Sequence, residues 1–355
     1  MTLCQTCEHF TIEDPDGCNA SHLARVGVSN DRSLSALSCI KRFDVTVVGE
    51  LNLDLILYGL PEVLPPEREL LANGLTLTLG SSSAIFTHNL ARLGSRAGFI
   101  SRIGTDPLGR ISLERLATSG ADVSRVKRVD GPADSGLTVI LPHSGFRNIL
   151  TYAGTMFEMC FEDLDLDYLK DSRHFHLSSF FLHRALLPRI AGLFEAMKAA
   201  GLTTSLDIND DPEDRWDSRL SEVLPYVDVF FLNERELKKV TGKPDLASGI
   251  ESLSKSVPML AVKLGSHGGC LCYQDKIIRR PALPVTVADT VGAGDSFDAG
   301  FIHQFVQGAG PESCLEFANL TGAFSTMRPG GTEAFRDPKL LEEFLNLHWR
   351  SGAMR

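Results

Sequence analysis

Asp289-Thr290-Val291-Gly292-Ala293-Gly294-Asp295-Ser296-Phe297 runs straight into Phe297, Phe301, Ile302, Phe305 and Val306, an apolar stripe at helical spacing that Gly308 closes. Glycines ahead of a helix let its first N–H groups face inward without side-chain obstruction. With the positive end of the helix, the amides of Gly292, Ala293 and Gly294 then form an anion site suited to a phosphoryl group in transfer. A carboxylate in the same turn, Asp295, can take the proton of an attacking hydroxyl. A bare Gly-x-Gly-Asp reads more simply as a glycine turn with an Asp cap; the longer string reverses that preference.

Upstream of this turn, from residue 43 on, apolar strand-like runs alternate with amphipathic helical stretches. That is the pattern of a mainly parallel, twisted α/β sheet flanked by helices. The spacing predicts strands over 45–48, 97–100, 174–177, 203–208, 227–232 and 259–264, and helices over 81–93 (ending at Gly94) and 186–200 (closed by Gly201). Two regions, about 53–79 and 136–152, break the alternation with short strands and turns at Pro65-Pro66, Asn73-Gly74 and His143-Ser144-Gly145. They read as antiparallel strands standing away from the main sheet, a small β-sheet lid. Asn52 and Asp54, Ser178 and Ser179, Asp207 and Asn209, Asn233, and Lys263 with Gly265 all fall just after strands. Strand ends of a parallel sheet share one edge, where ligands bind, so this placement points to a single site.

The 355 residues are enough for a large core, and 43% of them are hydrophobic. A net charge of −10 argues against nucleic acid as a partner, because a phosphate backbone needs a basic footprint. No apolar run reaches the roughly 18 residues of a spanning helix, and the start of the chain lacks a signal-peptide layout. The expected location is cytoplasmic. Eight cysteines in a chain of this length do not indicate a disulfide scaffold. Cys160, Cys270, Cys272 and Cys314 sit in apolar contexts and read as buried thiols. Cys4, Cys7, His9 and Cys18 contain one Cys-x-x-Cys but no second, so residues 1–42 are expected to be a disordered N-terminal extension rather than a zinc site. The folded domain is expected over 43–348.

Taken together, the motifs resemble those of the PfkB/ribokinase family of carbohydrate kinases. Asp289 to Asp295 looks like its C-terminal signature, and Gly49-Glu-Leu-Asn52-Leu-Asp54 like its N-terminal sugar-contacting segment. Gly80-Ser-Ser-Ser-Ala84 through Ala91-Arg-Leu-Gly94 resembles the first glycine-rich signature, and Gly104-Thr-Asp106-Pro-Leu-Gly109 a family turn. Asn233-Glu-Arg-Glu236 is similar to the Asn-x-x-Glu motif, and Val262-Lys-Leu-Gly265-Ser-His-Gly268 to the nucleotide-loop strand. The matches keep the family's order over roughly 43–345. The resemblance implies a ribokinase-like fold and transfer of the ATP γ-phosphoryl group to a sugar hydroxyl, with Asp295 as general base and Gly292, Ala293 and Gly294 as anion hole. Asn52, Asp54, Gly80, Ser81 and Ser82 would meet the sugar. Asn233, Lys263, Gly265, Gly268, Gly294 and Asn319 would meet ATP. Glu236 would serve Mg2+, mainly through water, and Asp289, Val291, Arg328 and Gly331 would surround a monovalent cation such as K+.

Some residues carry a second reading. Asn233-x-x-Glu236 is equally a capping box, and Lys263 is also readable as a solvated strand end. Ser81 stands where the family has a second glycine, and Ile85 where it has an Asn, which leaves the sugar open. His88 and Asn89 are unusual polar residues on that helix; His88 is expected to face a neighbouring segment or solvent. Arg147 and Tyr152 lie on the expected lid, within reach of a substrate or on its surface. A nucleoside kinase on the same scaffold is the nearest rival, and a non-catalytic sugar or nucleotide sensor a further one. A dinucleotide-binding dehydrogenase is disfavoured, since no Gly-x-Gly-x-x-Gly opens residues 43–60. A homodimer through the lid is expected from its exposed strand edge.

Overall fold

The computed structural model describes residues 41–143, 146–216 and 219–350. Cys4, Cys7, His9 and Cys18, with the extension expected over 1–42, therefore lie outside the described residues apart from Lys41 and Arg42. These two are already tied to the fold, Lys41 Nζ donating to the Lys170 carbonyl at 2.7 Å. The chain then enters β1 (Phe43–Val48), β2 (Leu53–Tyr58) and β3 (Gly74–Leu79), and turns into α1 (Ser82–Arg92). Strand β4 (Ala97–Gly104), helix α2 (Pro107–Ala117) and β5 (Asp122–Val129) follow, then the hairpin β6 (Leu137–His143) and β7 (Phe146–Tyr152). Next come α3 (Leu166–Lys170), β8 (Ser172–Leu177), α4 (Ile190–Ala199), β9 (Thr203–Asp207) and α5 (Leu220–Val223). After β10 (Val229–Asn233), α6 (Glu234–Thr241), α7 (Leu246–Leu253) and β11 (Met259–Lys263), a second hairpin forms β12 (Gly269–Tyr273) and β13 (Lys276–Arg280). Helices α8 (Ala293–Val306), α9 (Pro311–Ser325) and α10 (Pro338–Leu345) complete the chain.

The main sheet has the order β13-β12-β11-β10-β9-β8-β1-β4-β5. It is parallel from β5 to β11, and only the β12–β13 hairpin at one edge runs antiparallel. Strand β10 shows why its interior strands are continuously apolar. Phe230 and Leu232 enter the core under α4–α7, while Val229 and Phe231 enter the core under α1, α2, α8 and α9. A strand covered on both faces has no polar side to offer. The helix expected over 186–200 begins instead as a short 3-10 turn, Leu187–Arg189, before α4. Pro188 there has no N–H to donate.

The lid is a separate four-stranded sheet, β3-β2-β6-β7. Its central pair, β2 and β6, is parallel, with Asp54 opposite Thr138 and Ile56 opposite Ile140. The all-antiparallel lid expected from the sequence is thus corrected. The two central strands come from distant chain segments, and only their outer partners, β3 and β7, run antiparallel to them. Cys270, Cys272 and Cys314 are buried as expected, whereas Cys160 is only half-buried.

Candidate active site

Helix α8 does not begin at Phe297 but already at Ala293, because Gly292 takes a left-handed φ of 72° and bends the chain into the helix. A Cβ at Gly292 would meet Gly331 Cα at 2.4 Å, so only glycine fits. Asp295 therefore lies inside the first turn instead of capping it. The Ala293 N–H donates to the Thr290 carbonyl at 3.3 Å. Among the described residues no backbone acceptor engages the N–H groups of Gly292 or Gly294. Two of the three expected anion-hole amides are thus open at a helix N-terminus, and the third is held by one long bond.

The strand ends do meet at one edge. Lys263 Nζ lies 2.8 Å from Asp207 and 3.0 Å from Asp298, both fully buried, and a Cβ on Gly294 would sit 3.5 Å from that ammonium. Lys263 is therefore not a solvated strand end. It stands beside the anion hole, its charge shared by two carboxylates that hold it protonated well above the ordinary lysine range despite burial. Asp298, whose Oδ1 finds no partner, is pushed far up by burial. Asp295 accepts from Ser82; burial, then the Asp207 charge, raises it to about 6. Asp54 reaches the site from the lid and packs against Gly80, where a Cβ would come within 2.1 Å of its Oδ1. Burial, then Asp295, raises Asp54 to about 7. Asn52 donates to Thr138 at 3.1 Å and leaves its own Oδ1 without a partner.

Asn233 and Glu236 form a reciprocal capping box on α6, with bonds of 2.8 and 2.9 Å. Asn233 Nδ2 also binds the Glu236 carboxylate. Glu236, at 4% exposure, is raised to about 7, chiefly by burial. With both oxygens taken, it fits a metal ion only through water. Gly265 and Gly268, both at positive φ, turn β11 into β12. Asn319 donates to the Arg280 carbonyl at 3.2 Å, the same atom a Cβ on Gly268 would strike, so these two expected nucleotide residues are neighbours. Within the set expected around a monovalent cation, Asp289 and the Gly331 carbonyl already hold protein donors. Asp289 accepts from Tyr58 Oη, Val291 N and Gly330 N at 2.8–3.0 Å, the Gly331 carbonyl accepts from Asn89, and Arg328 is exposed. Asp289 instead fastens the glycine turn to the lid.

His88 and Asn89 face a neighbouring segment. Asn89 bonds Ser296 and Gly331, and buried His88 bonds Asn89, its imidazole lowered to about 4 by burial. Ile85 packs between Gly292 and Gly331. Strand register separates the two lid residues. Arg147 shares the Asp54 face through Pro142, whereas Tyr152 pairs with Leu137 on the other. The residues that the sequence reading left without a role are Glu50, Asp298 and Tyr58, whereas Asp207 was placed at the sheet edge without a partner. Asp298 was within reach, one helical turn after Asp295. Tyr58 was not, since its partner lies 231 residues away.

A sheet edge with open glycine amides, a raised carboxylate and a covering lid describes a phosphotransferase acting on a small alcohol. The pfkB family carbohydrate kinase model matches residues 42–338, and the chain belongs to this family. It is 31% identical to fructokinase of Escherichia coli over 63% of this chain and 75% of the relative. The solved Arabidopsis thaliana ribokinase with ribose and ATP aligns at a TM-score of 0.73 and 26% identity, over 85% of this chain and 98% of that one. An Escherichia coli ribokinase II candidate solved with ATP and Mg2+ aligns at 0.73 and 25%, over 86% and 100%. The fold is ribokinase-like.

Proposed function

We propose that this protein is an ATP-dependent sugar kinase of the ribose, fructose or 2-keto-3-deoxygluconate class, with Asp295 as general base. The observation that carries this reading is the single turn holding Asp295 and the open amides of Gly292 and Gly294. Asp54 and Asn52 grip sugar hydroxyls, and Gly80, Ser81 and Ser82 line the approach. Asp295 takes the proton of the reacting hydroxyl. Its oxygen then bonds the γ-phosphorus as the bond to the β-γ bridging oxygen breaks, and ADP leaves. The amides of Gly292 and Gly294, with Ala293, hold the equatorial oxygens while Lys263 adds its field. Asn233, Gly265, Gly268 and Asn319 flank the nucleotide. Mg2+, when bound, neutralises phosphate charge, and Glu236 holds it through water.

Of the three acceptor classes, the neutral sugars fit best. Asp54, Asp295 and Glu50 leave the acceptor side rich in carboxylates, Lys263 is neutralised, and Arg147 on the lid is the cation acting on Asp54. A nucleoside kinase remains the second reading, since the same turn and base would serve a nucleoside hydroxyl. The exposed Ile149 and Leu150 on edge strand β7 support a homodimer through the lid.

The test is ATP consumption with Mg2+ and K+ against ribose, fructose, 2-keto-3-deoxygluconate, other sugars and nucleosides. Turnover of one compound, cut by orders of magnitude in Asp295→Asn while ATP still binds, is the expected outcome. Full turnover in that variant removes Asp295 as base. Turnover of adenosine alone selects the nucleoside reading. Binding of ATP and sugar without turnover selects the sensor.

A further inference from the structure

Glu50 follows β1 and is 3% exposed. A carboxylate buried to that degree is costly unless its oxygens are saturated. Here they are. Oε1 accepts from Ser179 Oγ at 2.7 Å and from the Ser83 amide at 3.5 Å, and Oε2 accepts from Ser83 Oγ at 2.7 Å. His183 Nε2 stands 3.5 Å away. The Glu50 carbonyl accepts from Ser81 Oγ, and Ser179 in turn accepts from Asn209 Nδ2 at 3.1 Å. Gly49 makes room for this knot, since a Cβ there would collide with Ser83 Oγ.

Backbone conformation points independently to the same place. Ser81, Ser179 and Asn209 have φ of 70°, 56° and 53°, a region that residues with a Cβ avoid. Such residues persist only where their surroundings over-determine them, and they gather at functional sites. All three hang from Glu50, directly or through Ser179. Ser82, between Ser81 and Ser83, bonds Asp295.

We propose that Glu50 is the positioning residue of this site, its buried carboxylate clamping Ser83 at the start of α1 and the strained turn at Ser179, with Asn209 behind it, while its carbonyl holds Ser81, so that Ser82 meets Asp295. This rests on Asp295 being the base. The clamp joins the ends of β1, β8 and β9 to the start of α1, the elements that surround the reacting hydroxyl. It does not touch the nucleotide side at Gly265, Gly268 and Asn319.

Glu50→Gln removes the charge and turns one acceptor into a donor that clashes with a hydroxyl or amide hydrogen. Turnover is expected to fall about 10- to 100-fold, the loss that a misplaced catalytic group brings, with KM for ATP unchanged. In the wild type the acid limb of kcat/KM is expected to report Asp295, which burial raises to about 6. The charged groups around Asp295 are Asp207 on β9, Lys263 on β11, Asp298 on α8, Asp54 on the lid and Glu50. Removing one negative charge moves that limb to lower pH, and a merely structural lesion would leave it in place. Glu50→Asp restores part of kcat. Should Glu50→Gln not fold, Ser83→Ala and Ser179→Ala carry the same test, each with a smaller loss of kcat and constant KM for ATP. Unchanged kcat and an unmoved limb in Glu50→Gln, or unchanged kcat in both serine variants, overturns the proposal. Asp295→Asn in parallel separates the two ideas: an active Asp295→Asn sinks the base, whereas an inactive one beside a fully active Glu50→Gln sinks the clamp alone.

Discussion

Asp54 and Asp295 are two buried carboxylates; burial lifts both above the ordinary carboxylate range, with the Asp295 charge adding to the rise of Asp54 and the Asp207 charge to that of Asp295. For Asp54 the folded-state value of about 7 lies above the ordinary value of 3.8, so the folded chain binds the proton more tightly than the unfolded one. The stability contributed by that difference is complete below pH 3.8 and is lost as pH rises through 7. Asp54→Asn removes the charge and keeps the shape. Its melting temperature is therefore expected to exceed that of the wild type by a few degrees at pH 8 and to match it at pH 3.5, while turnover of sugar falls about 100-fold or more with the lost hydroxyl grip. Differential scanning calorimetry at both pH values checks the sign; a lower melting temperature at pH 8 would show that Asp54 is stabilised by contacts not assigned to it here.

Strand β11 delivers Lys263 to the end of the sheet between β9, which carries Asp207, and α8, which carries Asp298. The ammonium is a fastening between three elements as well as a charge beside the anion hole. Removing one partner of a buried ion pair leaves the others uncompensated and typically costs about 3–5 kcal/mol. Lys263→Met is expected to lose stability of that order in urea unfolding, and Lys263→Met with Asp298→Asn to recover part of it. Equal stabilities for the single and double variants would mean that Asp298 already sits protonated and contributes no charge. The same logic explains the capping box on α6. Asn233 and Glu236 satisfy orphan amides at the helix start, and that structural duty is visible in bond lengths of 2.8 and 2.9 Å.

Among the described residues the two edge strands of the lid carry exposed apolar side chains. Ile149, Leu150 and Tyr152 on edge strand β7 are more than half exposed, and Leu75 on the opposite edge, β3, is 65% exposed. An open apolar edge invites pairing with another strand, and a charge on it is the usual deterrent. Leu150→Lys is expected to shift the protein from dimer to monomer in sedimentation velocity and to weaken sugar binding more than ATP binding. A wild type that sediments as a monomer at all concentrations would dismiss the lid dimer. Among the described residues no helix is long and apolar enough to cross a membrane.

Period and punctuation in the chain were enough to define the parallel sheet, because strands buried on both faces must be continuously apolar and glycine is favoured where φ turns positive. The glycine turn at 289–297 and the lid segments were legible for the same local reasons. Contacts between distant segments were not. Tyr58 on Asp289, Asp298 on Lys263, and the three strained turns around Glu50 join residues far apart in sequence, and no periodicity encodes which polar group will lie across a packed interface. The parallel pairing of β2 with β6 belongs with them, since strand direction is chosen by how the crossover packs, not by the strand's own residues. Local sequence thus set which residues form elements and which turns can bear a charge; the tertiary structure decided which charges meet, and so where each carboxylate keeps its proton.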